Sequence, residues 1–187
     1  MSVRITGGVL RGRLLPGPPG NTTRPTTDMW RSSIFDALAH HIELEGSFVI
    51  DLFAGTGSLG FEALSRGASH VTFVEKDARL CKQIESSAKQ FSSSVPGSTS
   101  VICDDVFNYI TSTLAHQHTS TLLLSDPPYH LRCANQLIDA LSKVALPSDC
   151  YLLIEHSPNE FIVEHDGWSK SWEKEKGQTA VTLLCKE

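Results

Sequence analysis

The hydrophobic positions change period along the chain. Residues 1–26 show no sustained period: Arg, Gly and Pro dominate, with short strands predicted at Arg4–Thr6 and Val9–Leu15 around Gly7-Gly8. PGPPGNTTRP then predicts an irregular loop. Thr26 or Thr27 is placed to cap a helix. Beyond it Trp30, Ile34 and Leu38 recur every four residues, with Phe35 and Ile42 beside them. That spacing predicts a helix over about 28–41 with one buried face.

Apolar runs of strand length then alternate with helical periods. SFVIDLF, HVTFVE, TSVIC, TLLLSD and DCYLLIEH predict strands. GSLGFEALSRG, DARLCKQIESSAKQF, VFNYITSTL and ANQLIDALSKV predict the helices between and after them, the second burying Leu80, Ile84 and Ala88. The alternation predicts βαβ units: an α/β fold whose parallel sheet is covered by helices on both faces. WSKSWEKEK and TAVTLLCKE flank Gly177-Gln178 and predict a closing hairpin, which makes at least one strand pair antiparallel.

Size and composition narrow the classes. A chain of 187 residues forms one domain with a short appendage and buries a full core without staples. No apolar run approaches the roughly 18 residues of a membrane span, and MSVRITGGVL has no signal-peptide core. Cys81, Cys103, Cys133, Cys150 and Cys185 are scattered and never spaced C-x-x-C. That fits a reducing cytoplasm and predicts neither a disulfide framework nor a metal site. Nothing in the pattern asks for an obligate dimer, so a monomer is expected.

Net charge is −5, but unevenly spread. Residues 1–31 carry Arg4, Arg11, Arg13, Arg24 and Arg31 against Asp28 alone, a net +4 that leaves −9 on the rest. A basic segment on an acidic body can grip phosphates locally, although a solvated arginine-rich tail has the same composition.

Candidate chemistry begins at Gly55-Thr56-Gly57-Ser58-Leu59-Gly60, a G-x-G-x-x-G loop between a strand and a helix. Glu75 follows Gly55 by 20 residues, at the end of the next strand. This pattern fits a dinucleotide site. Asp51, just ahead of the loop, opposes a pyrophosphate and favours a cofactor with a positive sulfonium and ammonium. S-adenosylmethionine is such a cofactor. Glu75 would accept both ribose hydroxyls. Asp105 or Asp104 would meet the adenine amine, or simply cap the helix that starts at 106.

Asp126-Pro127-Pro128-Tyr129 ends the strand TLLLSD, at the edge where open α/β sheets bind ligands. Two prolines make a stiff corner whose carbonyls are not used by a helix or ladder. The Asp126 carboxylate and the Pro127 carbonyl can together accept both hydrogens of a base's exocyclic amine. Held so, the nitrogen lone pair points at an incoming methyl carbon, and the charge that develops is stabilised. Tyr129 offers a ring for stacking the base.

These residues resemble the class I S-adenosylmethionine-dependent amino-methyltransferases, with their (D/N)-P-P-(Y/F) signature. RITGGVLRGRLL, RPTTDMWRSSIFDAL, DLFAGTGSLGFEALSRGA, VEKD, DPPYH and a terminal EKxxGxT run are similar, more specifically, to the bacterial 16S rRNA guanine-N2 methyltransferase family, small-subunit methyltransferase D. The resemblance implies a Rossmann-like methyltransferase domain over 27–187 and a basic hairpin and loop over 1–26. It implies S-adenosylmethionine held by Asp51, Phe53, Ala54, Gly55, Gly57, Glu75, Lys76, Asp105, Val106, Asp126 and Thr26, with Asp126, Pro127, Pro128 and Tyr129 at the reacting amine. The implied partner is 16S rRNA in the small ribosomal subunit or its assembly intermediate, gripped by Arg4, Arg11, Arg13, Arg24 and Arg31, with Arg24-Pro25-Thr26 closing the site. Met29 and Ser32 stand where the family usually has an arginine and a glutamate.

Three rival readings are an adenine-N6 nucleic-acid methyltransferase, an NAD-dependent oxidoreductase and a silent RNA-binding assembly factor. Against the first, 187 residues leave no room for a DNA target-recognition domain. His130 would touch the base or phosphate or remain solvated, and His40-His41 would face a helix C-terminus. His116 and His118 have no cysteine at metal spacing. Trp168 and Trp172 are expected to pack the closing hairpin.

Overall fold

The computed structural model describes residues 2–17, 28–114, 122–128, 133–163 and 167–187. Thr26, Arg24, Tyr129, His116, His118 and His130 lie outside them. The elements are β1 (Ser2–Arg4), β2 (Leu14–Pro16), α1 (Asp28–Leu38), β3 (Phe48–Leu52), α2 (Ser58–Ser65), β4 (His70–Glu75) and α3 (Ala78–Phe91). They continue with β5 (Ser98–Cys103), α4 (Val106–Ser112), β6 (Leu122–Ser125), α5 (Ala134–Ser142), β7 (Tyr151–His156), β8 (Trp168–Lys176) and β9 (Thr179–Lys186).

The main sheet has seven strands in the order β5-β4-β3-β6-β7-β9-β8. The first five are mutually parallel; β9 pairs antiparallel with both β7 and β8. The closing hairpin expected from the sequence is present, with its second strand inserted beside β7 and its first left at the edge. β9 is apolar enough for an interior place, whereas β8 carries alternating charges that suit an edge and discourage further pairing. Strand order reverses between β3 and β6, which opens a crevice at their carboxyl ends.

Two cores lie on the two faces of the sheet. On one, α1, α2 and α3 cover Val49, Phe73, Leu124, Leu153 and Val181. Phe61 of α2 packs 4.8 Å from Phe73 and edge-on to Phe91 at 5.7 Å, ring centroid to centroid. On the other, Val106, Ile110, Leu137, Ile138 and Leu141 cover Ile50, Leu123, Leu152 and Ile154. Trp168 packs here and Trp172 on the opposite face, so each tryptophan anchors the closing hairpin.

Three local expectations shift. The N-terminal strands are Ser2–Arg4 and Leu14–Pro16, not Arg4–Thr6 and Val9–Leu15, because residues 7–12 turn between them. α1 stops at Leu38, before His40-His41. The buried face of α3 is Cys81, Ile84, Ser87 and Phe91, with Leu80 only half-buried. Phe91 sets this rotation by inserting against Phe61.

The N-terminal hairpin shares its core with α1 and α2, through Val3, Ile5, Leu10 and Leu15. Its link is polar as well. Thr6 donates its backbone N–H and its hydroxyl to the Glu62 carboxylate, at 2.8 and 2.7 Å. Val9 N–H donates to the Ser65 carbonyl, and Leu10 N–H to the Ser65 hydroxyl, each at 2.8 Å. Gly8, at φ 69°, lies so close that a Cβ there would sit 1.8 Å from the Ser65 carbonyl oxygen. Among the described residues no helix is long and apolar enough to cross a membrane.

Candidate active site

The loop after β3 is built from a strained corner and three glycines with different tasks. Phe53 has φ 60°, in the left-handed region, a placement that costs about 1–3 kcal/mol for a side-chain-bearing residue. Its ring meets Phe107 edge-on at 6.3 Å, and Ala54 N–H donates to Val74 O, which pins the corner. Gly57 caps α2 at φ 77°. Gly60 allows α2 to approach β4: a Cβ there would lie 2.3 Å from the Phe73 ring. Gly55 is left-handed too, but a Cβ on it would meet only the Phe53 carbonyl, at 3.9 Å. Among the described residues, then, that side of Gly55 is open to a ligand.

Glu75 ties this loop to the end of β4. One oxygen accepts Gly55 N–H and the other Asp77 N–H, both at 2.8 Å. The 20-residue spacing in the sequence is thus a direct contact. A carboxylate has about four lone-pair sites, so two remain for a ligand's hydroxyls. Lys76 is exposed beside it. Asp105 is the N-cap of α4, accepting Phe107 N–H at 2.9 Å, while Asp104 accepts Asp105 N–H at 2.7 Å. Capping engages Asp105 through one oxygen. Val106 is buried beneath it.

Asp51 is only 1% exposed and accepts Gly60 N–H at 2.8 Å. Burial raises its pKa to about 8; the Gly60 hydrogen bond opposes this, and the Glu75 charge adds to it. Asp126 follows β6 directly. Burial, then the charge of Glu155, then that of Asp51, push it well above the usual carboxylate range. Strand register explains the convergence. Asp51 is paired with Leu124, and Ser125 with Ile154, so Asp126 and Glu155 leave adjacent strands side by side. Alternation of side chains puts Asp51, Asp126 and Glu155 on one face. Pro127 is buried and Pro128 exposed.

Glu155 was passed over in the sequence. Its only signal is a carboxylate near the carboxyl end of an otherwise apolar strand, in LLIEH. Arg31 requires a correction. Expected on an RNA surface, it is 1% exposed, and its guanidinium donates to Asp28 at 2.8 Å and to the Arg4 carbonyl, with Glu62 3.6 Å away. Its charge is consumed in fastening the N-terminal hairpin. Arg4, Arg11 and Arg13 remain exposed.

The glycine loop, the two lone-pair sites left on Glu75 and the carboxyl groups of Asp51 and Asp126 are a donor set that fits S-adenosylmethionine. Sheet order and site together define the class I methyltransferase fold. A family model described as "Conserved hypothetical protein 95" matches residues 3–185, and the chain belongs to that family. Ribosomal RNA small subunit methyltransferase D of Haemophilus influenzae is 32% identical over 182 residues, covering 97% of this chain and 92% of that one. The protein of the same name from Escherichia coli K12 is 32% identical over 188 residues, covering 99% and 90%. The solved structure of Escherichia coli yhhF superposes with a TM-score of 0.84 at 29% identity, covering 100% of this chain and 99% of that one.

Proposed function

We propose that this protein is an rRNA methyltransferase that moves a methyl group from S-adenosylmethionine to the exocyclic N2 amine of a guanine in 16S rRNA. It would act in the cytoplasm, as a monomer, on the small ribosomal subunit or its assembly intermediate. The observation that carries this reading is Asp126 at the end of β6, beside the β3/β6 switch and on the same face as Asp51.

The bound cofactor would supply an electrophilic methyl group on a sulfonium. Glu75 would hold its ribose through the two lone-pair sites left by Gly55 and Asp77. Asp105 would present its second oxygen to the adenine amine. Asp51 would favour the cation from beneath the loop. Asp126 and the Pro127 carbonyl would accept the two hydrogens of the guanine amine and so aim its lone pair. The Tyr129 ring would stack the base, which makes Tyr129→Phe an active variant. Asp51 also disfavours the nicotinamide alternative, because a buried carboxylate lies under the loop that would have to hold a pyrophosphate. Arg4, Arg11 and Arg13 would bind RNA phosphates.

The test is transfer of labelled methyl from S-adenosylmethionine to small-subunit particles that lack the modification, with the modified base mapped by mass spectrometry. N2-methylguanine in 16S rRNA is the expected product. N6-methyladenine would move the assignment to the adenine reading, and particles bound without label transfer would move it to an assembly factor.

A further inference from the structure

Five thiols were expected to be unremarkable cytoplasmic cysteines, yet two of them meet at the mouth of the cofactor site. Cys81, on the first turns of α3, is buried, and its S–H donates to the Glu75 carbonyl at 3.1 Å. Cys103, the last residue of β5, is exposed and is the register partner of Glu75. Parallel partners stand about 4.8 Å apart, so Cys81 and Cys103 flank the same peptide unit. Cys103 shares the strand alternation of Val101, which packs against the core that α3 covers, so its side chain leaves the sheet on the side of Cys81. Cys103 also leads directly into Asp104-Asp105.

We infer that Cys81 and Cys103 form a redox-sensitive modification site, in which oxidation by a peroxide closes a disulfide that weakens cofactor binding.

The chemistry divides between an exposed and a buried sulfur. The accessible Cys103 thiolate attacks one oxygen of hydrogen peroxide, breaks the O–O bond and becomes a sulfenic acid, releasing hydroxide. Cys81 sulfur then attacks the Cys103 sulfur. The S–OH bond breaks, the Cys81 proton leaves with the hydroxyl as water, and the S–S bond forms. Two thiols have lost two electrons and the peroxide has gained them. Cys81 is a poor first nucleophile: burial, then the neighbouring Cys103, push its thiol up to about 12.

Closing the bond brings the two sulfurs to about 2.05 Å. It removes the Cys81 donor from the Glu75 carbonyl and pulls the Cys103–Asp105 corner toward α3. Glu75 and Asp105 are the proposed ribose and adenine acceptors, so the effect on affinity rests on that reading, whereas the disulfide does not.

The test uses the full chain, reduced with dithiothreitol or exposed to hydrogen peroxide, then alkylated, digested and mapped by mass spectrometry. S-adenosylmethionine binding is measured by calorimetry on both samples. A peptide linking Cys81 to Cys103 should form, with Cys133, Cys150 and Cys185 left as thiols. Affinity should fall about 5-fold or more on oxidation and return with dithiothreitol. Cys103→Ser should bind the cofactor normally and show no response to peroxide. A Cys150–Cys185 link in its place, over-oxidised Cys103 with Cys81 still a thiol, or a closed disulfide with unchanged affinity would each overturn the inference. If even the reduced chain bound no S-adenosylmethionine, the cofactor reading and the affinity effect would fall together, and the peptide map would still decide the disulfide.

Discussion

Two regions of this molecule hold buried or half-buried carboxylates on the same face of the sheet and do opposite things with them. Beneath the N-terminal hairpin, Glu62 is wholly buried and surrounded by donors: Thr6 through N–H and hydroxyl, and Arg66 at 3.0 Å, with Arg31 at 3.6 Å. At the carboxyl ends of β3, β6 and β7, Asp51, Asp126 and Glu155 face one another, and burial plus like charge raise Asp51 and Asp126. A buried charge matched by donors is structural fastening. Carboxyl groups raised by burial and by neighbouring carboxylates, as Asp51 and Asp126 are, form a site that gains when a cation or an N–H donor arrives.

The comparison breaks most visibly at Glu62. Glu62→Ala leaves Arg31 buried without that counter-charge and releases Thr6, and should cost about 3–5 kcal/mol in urea unfolding. A loss below about 1 kcal/mol would remove the fastening role. Asp126→Ala should do the reverse. Methyl transfer to small-subunit particles should fall about 10²–10³-fold, with S-adenosylmethionine binding kept and unfolding stability not reduced. Near-normal transfer would sink the account of the proline corner.

Asp51 offers a pH test with a defined sign. Its native pKa of about 8 exceeds the ordinary 3.8, so between those values the folded state holds a proton that the unfolded chain releases. Stability of the cofactor-free protein should therefore fall as pH rises from about 4 to about 8. Asp51→Asn keeps an acceptor for Gly60 N–H and should flatten that slope, read from urea midpoints at several pH values. An unchanged slope would mean that Asp51 carries no proton there. The smallest effect is at the surface. Arg11→Gln with Arg13→Gln should weaken particle binding and flatten its log–log salt dependence by about 1 per lost phosphate contact. Stability should stay within about 0.5 kcal/mol. Arg31→Gln should instead reduce stability, which separates the buried arginine from the exposed pair.

Much of this was readable from residue order. The strand and helix alternation emerged with its register of Gly and apolar positions, and Glu75 lay at the distance that lets it reach Gly55. Local periodicity carries such information because the face a residue presents depends on its own backbone repeat. On α3, Ile84 is buried as expected and Ala88 packs against the core, but Cys81, Ser87 and Phe91 were missed, since Cys81 and Ser87 look no more apolar than their neighbours until Phe91 is seen against Phe61. Arg31 looked like surface charge because a guanidinium carries no mark of burial in its own sequence.

The sequence by itself determined a parallel α/β sheet, a glycine loop under a carboxylate, and an acid–proline corner at a strand end. Only the tertiary structure decided which charges are matched and which are opposed. It moved Arg31 inward to Asp28 and the Arg4 carbonyl, seated the hairpin on Glu62 and Ser65, and brought Glu155 beside Asp126. The reason is physical: the free energy of a buried charge depends on what surrounds it, and those neighbours come from segments far apart in the chain.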